Sequence, residues 1–386
     1  MPIRPMPSGA TTVACSHVAP EHTARRSVGR PLRPGAFGAA ALGLLALAAP
    51  TARATWTVTN LHPAGPSHSM AFGNGPGQQV GWAFTGGTWQ ASLWSNTAGS
   101  WVNMHPAGSD GSSAWDAFGG QQVGRSSFGG FYHASLWSGS AASFVDLHPA
   151  GMTESEARGT DGVHQIGWVI GSGGARATVW TGSAASAVDL DPVGSIGSEG
   201  FSVHGGQQVG VAHVGGNYRA SLWTGTAASW VDLNPAGSSQ STAYSVHSAR
   251  QVGYAMFAGA EHAALWNNTA ASWLDLHPAG AATSIAFGVR AGKQVGYASF
   301  GGLERASAWS GSAASWEDLH AALPAGFLTS RATDIWSDGV SYYVAGFGYN
   351  ATAGQNQALL WTQPVPEPGT LILLGACGAW LLRRHR

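Results

Sequence analysis

The alternation of apolar and polar positions along this chain is organised by one repeat. Most copies contain Gln-Val-Gly, then a run ending in an apolar residue and Trp, then an apolar-Asp-Leu segment, as at Gln208, Trp223 and Asp232. The Gln recurs every 43 residues, at Gln79, Gln122, Gln165, Gln208, Gln251 and Gln294. The Trp keeps the same spacing, at Trp94, Trp137, Trp180, Trp223, Trp266 and Trp309, and Trp361 follows after 52 residues. A fixed period of this length indicates a repeat architecture.

Each repeat divides into four short runs that have the pattern of β-strands. The runs are rich in β-branched and aromatic residues and are separated by small, polar turn residues. A glycine recurs between the second and third runs, at Gly87, Gly130, Gly173, Gly216, Gly259 and Gly302. A glycine at one fixed position of a strand-turn-strand pattern predicts a turn with positive φ.

Four antiparallel strands in 43 residues match one blade of a β-propeller. Six complete units run from His62 to His320, and a seventh lacks its fourth strand, which the chain supplies at its other end as residues 56–62. The sequence therefore predicts an all-β, seven-bladed β-propeller closed by N- and C-terminal strands that share the last blade. An open β-solenoid is the alternative, although a solenoid does not need a split terminal repeat.

The segment before the repeats has the order of a secretory signal peptide. Basic residues precede an apolar run at residues 36–49, and the segment ends in Ala52-Arg53-Ala54. This order predicts export with cleavage after Ala54. We therefore divide the chain into a signal peptide at residues 1–54, a propeller at residues 55–363 and a C-terminal sorting segment at residues 364–386.

The C-terminal segment contains a short rigid motif, an apolar run and a basic end. The motif is Val365, Pro366, Glu367 and Pro368, the run covers residues 371–382, and the end is Arg383-Arg384-His385-Arg386. With Gly369 and Thr370 the run is 14 residues long, short of the roughly 20 that span a bilayer comfortably. The arginines are expected to stay cytoplasmic, so this segment is predicted to be a sorting tag with transient membrane contact.

Two resemblances follow from these residues. The tail resembles the PEP-CTERM signal of Gram-negative bacteria, which implies exosortase as a processing partner, a transient anchor in the inner membrane, and delivery to the cell surface or extracellular matrix alongside exopolysaccharide and biofilm systems. His133-Ala134-Ser135-Leu136-Trp137 and His262-Ala263-Ala264-Leu265-Trp266 resemble the extracellular HAF repeat, with Ser, Ala or Thr in place of Phe at the third position. Neither resemblance supplies a catalytic residue.

Composition and charge exclude several classes. Of 386 residues 56 are Gly and 18 are Trp, while only 10% are charged, which suits many short strands joined by glycine turns. Residues 55–364 hold 17 Asp/Glu and 9 Lys/Arg, about −8 in net charge, so no basic face predicts a nucleic-acid partner. Cys15 and Cys377 both lie in the terminal segments, which leaves the repeats without a disulfide or a thiolate metal site.

Most of the recurring polar residues are predicted to be structural, and no metal or cofactor is expected. Histidines at one repeat position precede Pro-Ala-Gly in most copies, and Asp191 and Asn234 replace them in two, which predicts a type I turn beginning at that residue. The recurring serines are expected to satisfy backbone groups where each blade begins. The recurring aspartates are expected to face solvent or to pair with Gln90, His133, Arg176, Arg219, His262, Arg305 and Gln357.

A functional site in a symmetric scaffold is expected where one copy departs from the others. In the third copy acidic and basic residues crowd the inner strand, Arg158 replaces the usual aromatic residue, and Ala187 is a further substitution. In the seventh, Arg331 and Asp334 accompany inserted residues. The candidate ligand patch on the channel face is Glu154, Glu156, Arg158, Arg331 and Asp334. Neutral drift within a blade is the alternative explanation.

These features predict an exported, non-catalytic module at the cell surface or in the matrix that binds exopolysaccharide or another surface component. The main alternative is a carbohydrate-active enzyme, a glycosidase or lyase, in which Glu154 or Glu156 and Asp334 form the pair of carboxyl groups that such chemistry needs. A structural surface-layer component that associates with itself is a third hypothesis. The fold alone does not choose among them.

Overall fold

The computed structural model describes residues 55–365, which form seven four-stranded antiparallel sheets arranged as the blades of a β-propeller. This confirms the predicted fold class. The predicted signal peptide and the sorting segment after Val365 lie outside the described residues. Within residues 55–365 no helix has the length and apolar character needed to cross a membrane.

In every blade the first strand lines the central channel and the last lies at the rim. Strand β1 (Thr57–Asn60) belongs to blade 7. Blade 1 contains β2 (His68–Gly75), β3 (Gln78–Thr85), β4 (Thr88–Trp94) and β5 (Val102–Asn103). Blade 2 contains β6 (Gly111–Phe118), β7 (Gln121–Phe128), β8 (Phe131–Trp137) and β9 (Val145–Asp146). Blade 3 contains β10 (Glu154–Thr160), β11 (Gln165–Gly171), β12 (Gly174–Trp180) and β13 (Val188–Asp189).

The remaining blades repeat the same order. Blade 4 contains β14 (Ser198–His204), β15 (Gln207–Val214), β16 (Asn217–Trp223) and β17 (Val231–Asp232). Blade 5 contains β18 (Ser241–His247), β19 (Arg250–Phe257), β20 (Ala260–Trp266) and β21 (Leu274–Asp275). Blade 6 contains β22 (Thr283–Arg290), β23 (Lys293–Phe300), β24 (Leu303–Trp309) and β25 (Glu317–Asp318). Blade 7 contains β26 (Phe327–Ser337), β27 (Ser341–Asn350) and β28 (Gln355–Pro364), with β1 outermost. Short 3₁₀ turns lie at Ala98–Ser100, Ala141–Ser143, Ala184–Ser186, Ala227–Ser229, Ala270–Ser272, Ala313–Ser315 and His320–Ala322.

The two ends of the described chain close the ring as predicted. Strand β1 pairs antiparallel with β28, and Thr57 lies opposite Thr362. The indole of Trp56 donates a hydrogen bond to the Glu317 carboxylate of blade 6 over 2.9 Å. Strand β1 therefore supplies the rim strand of blade 7, and the outer edge of β28 is paired where the ring closes.

The recurring tryptophans join neighbouring blades. All seven are fully buried, and each packs against the preceding blade. Trp137, for example, lies in a cluster with Val80, Ala91, Leu93 and Met104 of blade 1. Burial of an aromatic side chain of this size is among the largest apolar contributions that a single residue makes.

The recurring serines tie each blade to the one before it, which confirms their predicted structural role. Ser241 Oγ accepts the backbone N–H of Ala220 on β16 over 2.9 Å, and the equivalent serines do the same in the other six interfaces. Each serine hydroxyl also contacts the residue at the recurring histidine position, over 2.8 Å from His105 Nδ1 to Ser112 Oγ. The histidines therefore take part in the contacts between neighbouring blades.

The turn after the histidine position begins one residue later than predicted in the five copies that start at Pro106, Pro149, Pro192, Pro235 and Pro278. In blade 2 the hydrogen bond runs from Ser109 N–H to Pro106 O, so Pro106, and not His105, is the first residue. Gly108 then occupies the third position with a φ of 81°, as a type II turn requires. The prediction of a type I turn beginning at the histidine was therefore wrong in these copies, because the ring bonds to the recurring serine through Nδ1 and reaches the last residue of the turn through its other nitrogen, as His148 does with Met152 O over 3.1 Å.

The recurring aspartates pair with the residues that the sequence suggested. Ion pairs join His133 to Asp146, Arg176 to Asp189, Arg219 to Asp232, His262 to Asp275 and Arg305 to Asp318, over 2.7–3.0 Å. In the two blades with asparagine in place of the aspartate, Asn103 donates to Gln90 and Asn60 donates to Gln357. All seven blades therefore carry one cross-strand polar pair near the rim, of the kind that stabilises sheets modestly.

Glycine is required at two repeat positions for different reasons. The turn glycine predicted to have positive φ does so in five of the six copies, but in blade 3 that conformation falls on Gly174 instead of Gly173. The Gly of Gln-Val-Gly serves close packing, since a Cβ built on Gly210 would lie 1.9 Å from the carbonyl oxygen of Glu199. That distance is far below van der Waals contact, so the inner two strands approach only because the side chain is absent.

We predict that Gly210→Ala destabilises the protein by about 1–3 kcal/mol or more, because the added methyl group collides with rigid backbone. Thermal and urea unfolding would measure the loss. Gly99→Ala is the matched control, since its added Cβ would meet no atom within 4 Å and should change stability by less than about 0.5 kcal/mol. Equal effects of the two substitutions would contradict this account.

We also predict that acidification destabilises the ring through its histidines. Burial lowers the pKa of His62, His105, His148, His277 and His320 below the ordinary value of 6.5. The unfolded chain therefore binds more protons than the folded one as the pH falls below about 6.5, and the free energy of unfolding decreases.

Replacing these five histidines by Asn, the residue that blade 5 carries as Asn234, should flatten the dependence of unfolding free energy on pH between about 7 and 5. Urea unfolding at several pH values would measure it. An unchanged slope in the fivefold variant would show that other groups cause the acid sensitivity.

Candidate functional site

A β-bulge in every inner strand directs one side chain into the channel. The pairing register between the first and second strands shifts at the same place in all seven blades, for example between Ala71 and Gly73. The residue inside the bulge has no partner residue on the second strand. These seven residues are Phe72, Trp115, Arg158, Phe201, Tyr244, Phe287 and Thr333.

The bulge residues surround a cavity of about 300 Å³, which we call the aromatic chamber. Arg331 and Phe347 complete its lining. The aromatic rings contact one another around the wall, with ring centres 4.7 Å apart for Phe72 and Trp115 and 5.1 Å apart for Tyr244 and Phe287. The chamber therefore presents mainly aromatic surface with a few polar groups, the usual character of a small-ligand site.

Aromatic residues continue from the chamber onto one face of blade 1. Phe72 lies 6.3 Å from Trp82, and Trp82 lies 4.1 Å from Trp89, whose side chain is 43% exposed. Trp89 and Tyr132 then line a groove of about 220 Å³ between blades 1 and 2, together with Asp110. The chamber and the groove together form what we call the aromatic track.

Two guanidinium groups meet one buried carboxylate beside the chamber. Glu156 is fully buried and forms ion pairs with Arg158 and, over 2.8 Å, with Arg125. Arg158 also lies over the ring of Trp115 at 4.8 Å from its centre, within the range of a cation–π contact. A buried carboxylate needs such partners, because an unpaired charge in this setting would be strongly destabilising.

Arg331 has a comparable environment on the other side of the chamber. Both Glu304 carboxylate oxygens accept hydrogen bonds from its guanidinium group, and its Cζ lies 4.7 Å from the centre of the Tyr297 ring. Burial raises the pKa of neighbouring Glu261, an effect opposed by Arg331. The cationic groups of the chamber are thus balanced by carboxylates, and part of their N–H donors remain for a ligand.

Beyond the chamber the channel narrows to a polar neck, defined by Asp116, Ser202, Ser245, Arg290 and Asp334. The cavity there is only about 50 Å³, enough for a few water molecules. These side chains fit because glycines occupy the same ring, and a Cβ on Gly73 would lie 2.5 Å from the Cα of Asp116.

The two neck aspartates fasten one blade to the next. Asp334 accepts hydrogen bonds from the backbone N–H of Ile335 over 2.7 Å and of Asn74 over 2.8 Å. Asp116 accepts from Ala117 over 2.7 Å and from Thr160 over 2.8 Å in the same arrangement. Each carboxylate therefore satisfies a donor on its own strand and one on the following blade.

Burial is the main cause that disfavours the charged forms of both aspartates. It raises the pKa of Asp116 to about 6, while backbone hydrogen bonds and Arg290 act in the opposite direction. The pKa of Asp334 is raised well above its ordinary range by burial and then by the charge of Asp116. The neck therefore retains a proton at pH values where exposed aspartates are ionised.

The structure divides the predicted ligand patch between these two places. Arg158 and Arg331 line the aromatic chamber, Glu156 is buried beside it, and Glu154 begins β10 opposite Ile170. Asp334 lies in the neck, and the carboxyl group that interacts with it is that of Asp116. The sequence hypothesis that Glu154 or Glu156 works with Asp334 as an acid pair is therefore not supported by the contacts of these residues.

A comparison of the copies at a fixed spacing of 43 residues does not identify Asp116 as the partner of Asp334. Blade 7 carries three additional residues before Ser330, so a fixed spacing aligns Asp116 with Arg331. Counting instead from the recurring serine, Asp116 is the fourth residue after Ser112 and Asp334 is the fourth after Ser330. That offset is the sequence signal that identifies the pair. Among the described residues, no group of three or more His, Cys, Asp or Glu side chains is placed to hold a metal ion.

We predict that Asp116→Asn removes a contribution to stability that decreases as the pH rises. A carboxyl group with a raised pKa contributes stability that is lost as the pH rises through that pKa, because the folded state binds more protons than the unfolded state. Thermal unfolding between pH 4 and pH 7 would show the stability of the unmodified protein decreasing relative to that of the variant as the pH rises, while the opposite contribution of the histidines is common to both proteins. Asp334→Asn should act alike, and the double variant should show less than the sum of both effects. Additive effects would contradict the coupling.

Comparisons with known proteins add little to this site. No protein-family model matches the chain, and no curated protein matches it. Among solved structures, TolB from Acinetobacter baumannii is similar at 12% identity with a TM-score of 0.42, over 66% of this chain and 64% of that one. The Pyrococcus horikoshii acylaminoacyl peptidase is similar at 10% identity with a TM-score of 0.45, over 75% and 52%. The tricorn protease is similar at 8% identity with a TM-score of 0.24, over 76% of this chain and 35% of that one.

This chain spans less than two thirds of each of those structures. At such identities and TM-scores the likeness carries no argument about activity or ligand. The assignment of the fold depends instead on the strand pairing of the seven blades.

Proposed function

We propose that this protein is an exported, non-catalytic binding module of the cell surface or extracellular matrix, and that its aromatic track binds exopolysaccharide. The observation that carries the proposal is the aromatic chamber, in which five bulge residues present ring faces beside two arginines. A sugar ring has C–H bonds on its faces and hydroxyl groups at its edge, so it packs on aromatic faces while its hydroxyls bond to nearby polar groups.

The electrostatics favour a neutral or weakly charged glycan. Glu156 pairs with both Arg158 and Arg125, Arg158 also interacts with the charge of Glu199, and Glu304 pairs with Arg331. Residues 55–364 also carry a net charge of about −8, which disfavours a strongly anionic polymer at long range. Arg158 and Arg331 are therefore proposed as hydrogen-bond donors to sugar hydroxyls, and not as an anion site.

The track suits a chain of sugars better than a single one. Trp82 and Trp89 connect the chamber to the groove that Tyr132 and Asp110 line. Exposed aromatic residues beside carboxylate and hydroxyl groups provide repeated platforms for successive rings. We propose that one end of the glycan enters the chamber and the next residues follow the track.

Export and surface delivery are proposed from the terminal segments. The signal peptide at residues 1–54 and the resemblance of Val365, Pro366, Glu367 and Pro368 to a PEP-CTERM motif support export, exosortase processing and a transient inner-membrane anchor. The backbone N–H of Val365 donates to Val340 O over 2.8 Å. The proposed sorting motif therefore begins directly at the edge of blade 7.

We predict that the purified protein binds the producing organism's exopolysaccharide with saturation, and that Trp115→Ala and Trp89→Ala each weaken binding about fivefold or more, because truncating a tryptophan that anchors a ligand typically costs more than about 1 kcal/mol. Isothermal titration calorimetry would measure it. Tyr218→Ala is the matched control, since this aromatic residue is 50% exposed but lies outside the track.

Binding that survives both tryptophan substitutions would exclude the track. Absence of binding to intact polymer would reject the glycan proposal, and concentration-dependent self-association in the same sample would favour the surface-layer hypothesis. Arg158→Ala and Asp334→Ala separate the chamber from the neck, since only the first should weaken binding.

A carbohydrate-active enzyme is the second candidate, favoured by the two coupled carboxyl groups at Asp116 and Asp334. The neck of about 50 Å³ leaves no room for a sugar ring beside them, and backbone donors already occupy their oxygens. Release of new reducing ends or unsaturated sugars from the polymer, abolished by Asp116→Asn, would overturn the non-catalytic proposal.

A further inference from the structure

The largest of the cavities described here lies at the outer part of blade 3, away from the channel. It measures about 460 Å³ and is lined by Met152, Val169, Gly171, Thr178 and Ala187, with the Arg176–Asp189 ion pair at its edge. Its walls come from one blade and the turn that leads into it. None of these residues belongs to the aromatic track or the neck.

The cavity exists because blade 3 lacks two side chains that fill the same place elsewhere. The residue after the 3₁₀ turn is aromatic in the other five complete blades, at Trp101, Phe144, Trp230, Trp273 and Trp316, but is Ala187 here. Gly171 likewise occupies the position of Phe128, Val214, Phe257 and Phe300. Where both rings are present they pack together, with centres 4.7 Å apart for Phe257 and Trp273.

The backbone at Ala187 keeps the conformation of the aromatic copies. Its φ and ψ are −59° and 125°, against −57° and 132° at Trp230 and −55° and 128° at Trp101. The chain has therefore not collapsed into the space left by the smaller side chains. The cavity keeps the shape that an indole ring fills in blades 1, 4, 5 and 6.

A hydrogen-bond acceptor is also in place for that ring. Trp101, Trp230 and Trp316 donate their indole N–H to Ser92, Ser221 and Ser307, each over 2.9 Å. Thr178 stands at this position in blade 3 and is 2% exposed. Its hydroxyl donates to Arg176 O over 3.0 Å, as Ser221 donates to Arg219 O, and among the described residues no group donates to it. The Thr178 oxygen thus keeps a free lone pair.

We propose that this cavity is a binding site for a small indole compound. The ring would occupy the space above Ala187 and Gly171 and donate its N–H to Thr178 Oγ1. The Met152 sulfur lies 3.1 Å from the point where a Cβ on Gly171 would be, and flexible thioethers contact aromatic rings favourably. Because one blade and its turn form all of the walls, the site accommodates a single ring and not an extended chain.

The test is calorimetric titration of the full chain with indole itself, and with 1-methylindole, which has no N–H donor. We expect saturable binding of indole that is at least about tenfold tighter than binding of 1-methylindole, the ratio that one buried hydrogen bond supplies. Thr178→Val, which keeps the shape and removes the acceptor, should abolish this difference without weakening 1-methylindole.

Filling the cavity from within should block the site. Ala187→Trp is expected to raise the melting temperature and to eliminate indole binding, and Ala187→Phe, the residue type of blade 2, provides a second variant if the first fails to fold. Indole binding that is unchanged in a folded Ala187 variant would overturn the proposal, as would no binding to the unmodified protein. Tighter binding of N-acetyltryptophanamide than of indole would overturn the small-compound assignment in favour of a tryptophan side chain.

Discussion

The packing of one buried tryptophan against the preceding blade is the interaction on which the rest of this structure depends. The described residues contain no cysteine, so nonpolar contacts and hydrogen bonds between blades must hold the ring together. Because each blade packs against its neighbours, closure of the ring adds a seventh interface to the six between consecutive blades. Trp94 makes that interface by packing against Leu61, Ala345, Ala358 and Leu360. Leu61 directly follows β1, so the N-terminal strand contributes to the core that closes the ring as well as to the sheet.

The same arrangement explains where variation is tolerated. Tryptophan, serine and the Gln-Val-Gly glycine each contact a neighbouring strand or blade, and substitution at any of them would break an interface. The side chain of the bulge residue faces the channel and does not pack between blades, and its contacts differ from one copy to the next, as with the ion pair of Arg158 and the hydrogen bonds of Thr333. Phenylalanine, tryptophan, tyrosine, arginine and threonine all occur there. The propeller thus supplies a fixed ring of seven positions whose chemistry can vary at little cost to folding.

Local periodicity made the architecture predictable, whereas contacts between distant blades were not. Strand order, blade number and ring closure followed from spacing, because each depends on residues within one repeat or on the count of repeats. The pairing of Asp334 with Asp116 did not follow from spacing, since the two residues are 218 positions apart and the insertion in blade 7 shifts it against the other repeats. The turn beginning at Pro106 was misplaced for a related reason: the histidine before it bonds to Ser112, seven residues later, and this contact overrides the local turn pattern.

Blade 3 differs from the other blades at several positions, and neighbouring residues compensate for some of these differences more fully than for others. Arg158 replaces an aromatic residue, but Glu156 pairs with its charge and the Trp115 ring lies against its guanidinium group. Met152 partly takes the place of the side chain absent at Gly171, but nothing replaces the ring absent at Ala187, because the backbone keeps its conformation and the space remains open. The aromatic residue at this position is only partly buried in the other blades, so its absence costs less than the about 3–5 kcal/mol of a fully buried ring. The apolar surface that the absent ring would cover stays accessible in blade 3, and an external ring that occupies the site would cover it again.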